Sequence, residues 1–149
     1  MIYLAKPIEI FKSDKQLEEC CKYWKRKLFL NDWFIHIFLT ENIMVTEEEG
    51  HTLWGVCEND FNNKEATITI YNGKDTEVGT MRNIAELTLV HELLHLKNEY
   101  NTELDADEKS FHNYIAHQSL EMMAKTLIMV KYNLDYGYFV GDGSSKEVL

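Results

Sequence analysis

The chain has 149 residues, 45% of them apolar, with 25 acidic against 15 basic side chains and a formal net charge of −10. That length fits one domain with its own core, while the acid excess argues against a nucleic-acid partner, because phosphate binders present a basic face. The longest apolar runs fall well short of a membrane span. Cys20, Cys21 and Cys57 form an odd set, two of them adjacent, with no C-x-x-C pair. This disfavours both a disulfide framework and a thiolate zinc site. Met1 to Phe11 shows neither the basic start nor the apolar run of a signal peptide, so the expected compartment is the cytoplasm.

Residues 13–30 are predicted to form a first helix. Ser13 or Asp14 can cap it, and Leu17, Cys20, Cys21, Trp24 and Leu28 recur at helical spacing. Asn31-Asp32 is a turn. Trp33 to Thr40, rich in β-branched and aromatic residues, reads as a strand, with His36 as an ordinary strand histidine. Residues 42–50, with Glu47-Glu48-Glu49, read as a solvated loop. Leu53 to Asn59 is a second strand, where Gly55 points to a bulge or a close backbone approach. After a turn at Asn62-Asn63-Lys64, Ala66 to Tyr71 alternates in polarity and is a third strand, expected to pair antiparallel with the second.

A polar loop over residues 72–79 leads to a central helix reaching Lys97 or Glu99. Thr80 or Asn83 can cap it, and Asn83 with Glu86 has capping-box spacing. A long helix from about Glu103 to about Val130 follows, apolar at Ala106, Phe111, Tyr114, Ile115, Leu120, Met123, Leu127 and Val130. Gly141 to Leu149 is expected to be a flexible tail on a single domain of residues 1–140. This order gives an α+β fold. A small, mostly antiparallel three-stranded sheet packs on the central and long helices, with a helix before it.

The central helix contains His91-Glu92-Leu93-Leu94-His95, the pattern H-E-x-x-H. At ordinary residue frequencies it arises by chance about once in a few hundred chains of this length. Positions i and i+4 lie on one helical face, so both imidazoles can reach one metal ion. Glu92 beside them can deprotonate a water that the metal activates, the chemistry of a zinc hydrolase. The flanking run Ile84-Ala85-Glu86-Leu87-Thr88-Leu89-Val90 and Leu96 marks a buried helix. Buried polar side chains need partners, and a metal supplies one to all three. The rival reading is a core helix whose histidines are hydrogen-bonded to backbone or carboxylates.

Catalytic zinc takes three protein ligands, so a third should come from an element packed against the motif helix, and the long helix is its natural source. Glu103, Asp105, Asp107 and Glu108 suit the solvated first turns of that helix. His112 shares a face with Glu108 and Ala116. His117 borders the apolar stripe and is the preferred ligand. Glu121, one turn on, is the alternative, either as the ligand or as a carboxylate accepting a hydrogen bond from His117.

Together with Trp33-Phe34-Ile35-His36-Ile37, Trp54-Gly55 and Ala66-Thr67-Ile68-Thr69-Ile70, the histidine motif resembles the zincin metallopeptidases. It is most similar to the small ones encoded by phages and prophages. The resemblance spans residues 30–130, and the histidine motif is its sharp part. It implies a zinc-dependent peptidase of a bacterial cytoplasm, with a protein or peptide substrate. His91 and His95 would be ligands and Glu92 the general base. In such families a glutamate on the following helix commonly completes the site; here that place falls on His117, a departure, and a shift of one turn restores Glu121. A tyrosine, histidine or arginine often stabilises the oxyanion, and Tyr100, Tyr114 and Tyr132 are candidates among which the sequence does not choose. An edge strand at residues 66–71 is expected to bind extended substrate. Two rival functions are a zinc-stabilised, non-catalytic phage assembly or protein-binding factor, and a regulator acting on a repressor through protein contact.

Overall fold

A computed structural model of the chain describes residues 6–42, 44–45, 52–73, 77–78, 81–97 and 106–140. The expected tail, residues 141–149, lies outside them. Helix α1 (Asp14–Lys27) starts where the sequence predicts: the Ser13 hydroxyl accepts from the Gln16 backbone N–H at 3.1 Å. Its buried stripe is Leu17, Cys20, Cys21 and Trp24. The strands are β1 (Phe34–Thr40), β2 (Met44–Val45), β3 (Thr52–Leu53), β4 (Gly55–Asp60), β5 (Glu65–Tyr71), β6 (Glu77–Val78) and β7 (Met81–Arg82). The motif helix α2 (Ala85–Leu94) continues as a 3-10 turn, His95–Lys97, and the long helix is α3 (Ala106–Tyr132). β2 and β3 pair with each other, as do β6 and β7.

The fold class is α+β, and the main sheet has three strands in the order β1-β5-β4. β4 and β5 form the expected antiparallel hairpin, turned at Phe61–Lys64, where Asp60 Oδ1 accepts from the Asn62 and Asn63 N–H groups. β1 pairs with β5 in parallel, so the sheet is mixed where a mostly antiparallel one was expected. The reason lies in β5. Its inward residues Ala66, Ile68 and Ile70 are essentially inaccessible, so it takes the centre. β4 runs opposite to β1 on the far edge, and β5, antiparallel to β4, is then parallel to β1. This also corrects the expected substrate strand: residues 66–71 lie in the middle of the sheet, and the edges are β1 and β4.

The register puts Ile35, Ile37 and Leu39, then Ala66, Ile68 and Ile70, then Gly55, Cys57 and Asn59 on one face. Helix α2 packs on that face and also touches α1 and α3. Its central place explains why Leu89, Val90 and Leu93 are wholly buried, and why the helix is apolar nearly all round.

The expected capping box does not form. Ile84 is the N-cap of α2, and the helix-start N–H groups of Ala85 and Glu86 bond the carbonyls of Glu9 and Ile8 at 3.1 and 2.9 Å. With those donors satisfied by the chain's early segment, Glu86 is free for another role. Its carboxylate is fully buried. Oε1 accepts from Ile8 N–H (3.0 Å) and Tyr132 O–H (2.6 Å), and Oε2 accepts from Trp24 Nε1 (2.9 Å) and Lys131 Nζ (2.8 Å). One side chain thus ties α1, α2, α3 and residue 8 together. Breaking such a buried pair by removing one partner costs about 3–5 kcal/mol, because the charge left behind is uncompensated.

Candidate metal centre

α2 and the 3-10 turn that continues it present His91 and His95 one turn apart, with ring centroids 5.1 Å from each other. α3 brings His117 to the same place, its ring 4.8 Å from that of His91 and 6.1 Å from that of His95. Each residue offers one ring nitrogen, and the three atoms lie within 4.8 Å of one another. Among the described residues this is the one group of three or more His, Cys, Asp or Glu side chains able to hold a metal ion. Three nitrogens on a tetrahedral zinc, at the usual bond length of about 2.0–2.1 Å, stand about 3.3 Å apart. The donor types fit a metal, and side-chain rotation would have to close the remaining gap.

Glu121 reaches the cluster, but at a different histidine from the one expected. Its Oε2 is 2.6 Å from His91 Nδ1, a contact to the first motif histidine and not to His117. Helical spacing explains it: Glu121 lies four residues beyond His117 on α3, next to the first turn of the motif on α2. Behind it, the buried Lys125 Nζ stands 3.6 Å from Glu121 Oε1 and over the rings of Tyr136 and Phe139. This row of Lys125, Glu121 and His91 fixes the imidazole from behind, as carboxylates do for metal-binding histidines.

The charges sort the histidines. Burial lowers the His91 pKa, but the Glu121 hydrogen bond and the charges of Glu92 and Glu121 outweigh it, and the net shift is upward. For Glu121 burial acts upward, and the bond and charge of His91, with Lys125 and His117, bring its pKa below the usual carboxylate range. His95 is pushed down to about 4 by burial and by repulsion from His91 and His117. Partial desolvation and the charge of His91 also lower His117, whose ring is otherwise exposed. Two imidazoles are therefore held neutral with lone pairs available, the state a metal requires.

Glu92 is buried on the adjacent face of α2. Its Oε1 is 3.9 Å from His95 Nε2. Burial, with the charge of Glu121, pushes its pKa up to about 7 against the opposing charge of His91. Gly55 on β4 makes the close approach that its position in the strand predicts. A Cβ there would stand 2.6 Å from Thr88 Cγ2 and 3.0 Å from both Cγ and Oε2 of Glu92. The cleft between β4 and the motif has a volume of about 330 Å³ and is lined by Gly55, Val56, Cys57, Asn59 and the four motif and ligand-set residues His91, Glu92, His95 and His117.

The sequence did not point to Cys57 as part of this wall. Its strand parity, matched to that of Gly55, is the signal that could have. Burial and the charges of Glu92 and Glu58 push its thiol up to about 11 despite a contact from Asn59, so it stays neutral rather than becoming a thiolate ligand.

Other expected residues lie elsewhere. Tyr132 donates to Glu86 in the buried hub, which removes it as an oxyanion donor. Tyr100, Glu103 and Asp105 lie outside the described residues, as do the side chains of Asp107, Glu108, His112 and Tyr114. His36 pairs with Glu65 at 3.1 Å on the sheet surface, the ordinary strand histidine expected. Comparison with family models, curated proteins and solved structures gives no match.

Proposed function

We propose that this chain is a zinc-dependent peptidase of the zincin type, built as the small phage and prophage enzymes are. The observation behind the reading is the meeting, in one cleft, of three histidines from two helices with a buried glutamate of raised pKa beneath an edge strand. Zinc in such a site supplies a Lewis acid that polarises the scissile carbonyl and makes water a nucleophile near neutral pH. His91, His95 and His117 would hold it, and Glu121 would orient His91 and keep a proton on Nδ1.

Glu92 takes the proton of the attacking water and hands it to the leaving amine. Burial raises the Glu92 carboxyl above the usual carboxylate range in the metal-free site, which strengthens it as an acceptor for that proton. β4 is bonded only to β5 among the described residues, so its other edge has backbone groups for an extended peptide. The low walls at Gly55 and Cys57 leave the main chain of that peptide close to Glu92.

The rival reading is a zinc-stabilised binding factor with no turnover. It needs a closed four-ligand site. Glu121 is engaged by His91, which leaves three donors among the described residues and favours the catalytic reading. A cytoplasmic setting agrees with three free cysteines, and no described helix is long and apolar enough to cross a membrane.

The test is Glu92→Gln in the zinc-loaded protein, assayed on a peptide library. Hydrolysis should fall at least ~100-fold with zinc content unchanged, the usual size of a lost general base. Equal hydrolysis by both forms would remove the mechanism. A zinc-loaded wild type that cleaves nothing, yet retains a protein from the host, would favour the binding factor.

A further inference from the structure

Helix α3 is apolar on two opposite faces. One face, Leu120, Ala124 and Ile128, is buried in the core. On the other, Ile115 is 48% exposed, Met122 56%, Met123 52% and Val130 77%, with the exposed Ser119 and Thr126 between them. At about 100° per residue these six fall within a sector of about 100°, on the side of the helix away from the core. Thr126 donates its hydroxyl to the Met122 carbonyl at 2.8 Å, so what it presents outward is largely its methyl group. A continuous stripe with no ionisable side chain, about 24 Å long, is what a covered helix face looks like.

The order of residues along the stripe says what covers it. The pattern reads the same from either end about the midpoint between Met122 and Met123. Ile115 matches Val130, Ser119 matches Thr126, and Met122 matches Met123. On the helical wheel each matched pair straddles the same line down the face. A surface with that symmetry is complementary to itself under a two-fold axis, the form of an isologous interface. Two copies packed antiparallel would put β-branched residues at both ends, small hydroxyl residues in the intermediate layers and methionines at the axis.

Charge points the same way. Two chains of net charge −10 repel over most of their surfaces. Of the other exposed apolar side chains, Phe34 and Phe38 on β1 stand together on the sheet face that also holds Glu58, Asp60 and Glu65, so self-contact there sets acid against acid. The α3 stripe is neutral from end to end.

We propose that this face of α3 is the interface of a homodimer in which two α3 helices pack antiparallel about Met122 and Met123. A single helix pair is smaller than the ~800 Å² per partner of a standard interface, so the dimer is reversible and concentration-dependent. The metal centre lies on another face of α3 and stays open in each copy.

Sedimentation equilibrium of the full chain across micromolar concentrations tests this. The wild type should approach twice the chain mass at the high end. Met122→Glu, which places a charge at the axis on both copies, should stay at the single-chain mass with an unchanged circular dichroism spectrum. Ser119→Cys combined with Thr126→Cys should oxidise to a covalent dimer, while Ser119→Cys alone should not, because only the antiparallel register puts 119 against 126. A wild type that is monomeric at every concentration would overturn the proposal. So would a dimer that survives Met122→Glu, or equal cross-linking by the single cysteine variant.

Discussion

Glu121 is the residue whose role the sequence left most open. It stood as ligand or as support for His117, and it is found against His91 Nδ1. Spacing on α3 alone cannot make that distinction, because it depends on how deep α3 sits against α2, which is set by the packing of Leu120, Ala124 and Ile128. The grouping of His91, Glu92 and His95 was legible because it depends on spacing within one helical stretch. His117 was legible by elimination along α3. Lys125 behind Glu121 was not, since a lysine on a helix is ordinarily solvated. Glu121→Gln should keep the fold and weaken zinc binding by ~10–100-fold, the usual cost of a lost partner behind a metal-binding histidine. Competition against a chromophoric chelator measures it, with His117→Ala as the variant that loses the site outright. Undiminished affinity in Glu121→Gln would mean that the carboxylate does not orient the ligand.

At the scale of elements, periodicity located α1, β1, β4, β5, α2 and α3 to within a few residues, because each buries a regular stripe. Strand order was not legible. Alternation in Ala66 to Tyr71 is equally good for an edge and for a centre, and only the full burial of Ala66, Ile68 and Ile70 decides between them. The start of α2 was misread for a related reason: Asn83 and Glu86 have the right spacing for a box, but the early segment of the chain reaches the same N–H groups first. The contact between β4 and α2 is the element-level feature most exposed to test. Gly55→Ala puts a methyl group 2.6 Å from Thr88 Cγ2, so strand and helix must separate. We expect a loss of about 1–3 kcal/mol in urea unfolding, as for an overpacked core. Peptide hydrolysis should fall with metal content intact. A variant with wild-type stability and turnover would show that the wall of the cleft is not held by this approach.

For the whole molecule, the three-histidine cluster brings together α2 and α3, elements separated in sequence and otherwise held by apolar packing, the His91–Glu121 contact and the Glu86 hub. A ligand that binds only the folded chain raises its stability by mass action, about 2.7 kcal/mol at a hundred times the dissociation constant. For a chain of this size that corresponds to a rise in Tm of about 5–10 °C. Zinc at that excess should produce it, chelator should reverse it, and His117→Ala should show neither. An identical Tm with and without zinc in the wild type would mean that the three nitrogens do not close on a common ion.

The Glu86 hub and the histidine motif share one short helix, and their separation along it matters as much as their identities. From Glu86 to His91 the chain turns by a fixed angle, so that the carboxylate faces Trp24 on α1 and the last turn of α3 at Lys131 and Tyr132, while the imidazole faces Glu121 nearer the middle of α3. A single inserted residue rotates one set by about 100° against the other. The segment from Leu87 to Val90 therefore tolerates exchange of one aliphatic side chain for another far better than any change of length. One alanine inserted after Leu89 should leave the helix able to keep the hub or the site, but not both. Zinc titration alongside thermal unfolding will read which one it gives up, and retention of both would mean that the helix can absorb the extra residue as a local bulge.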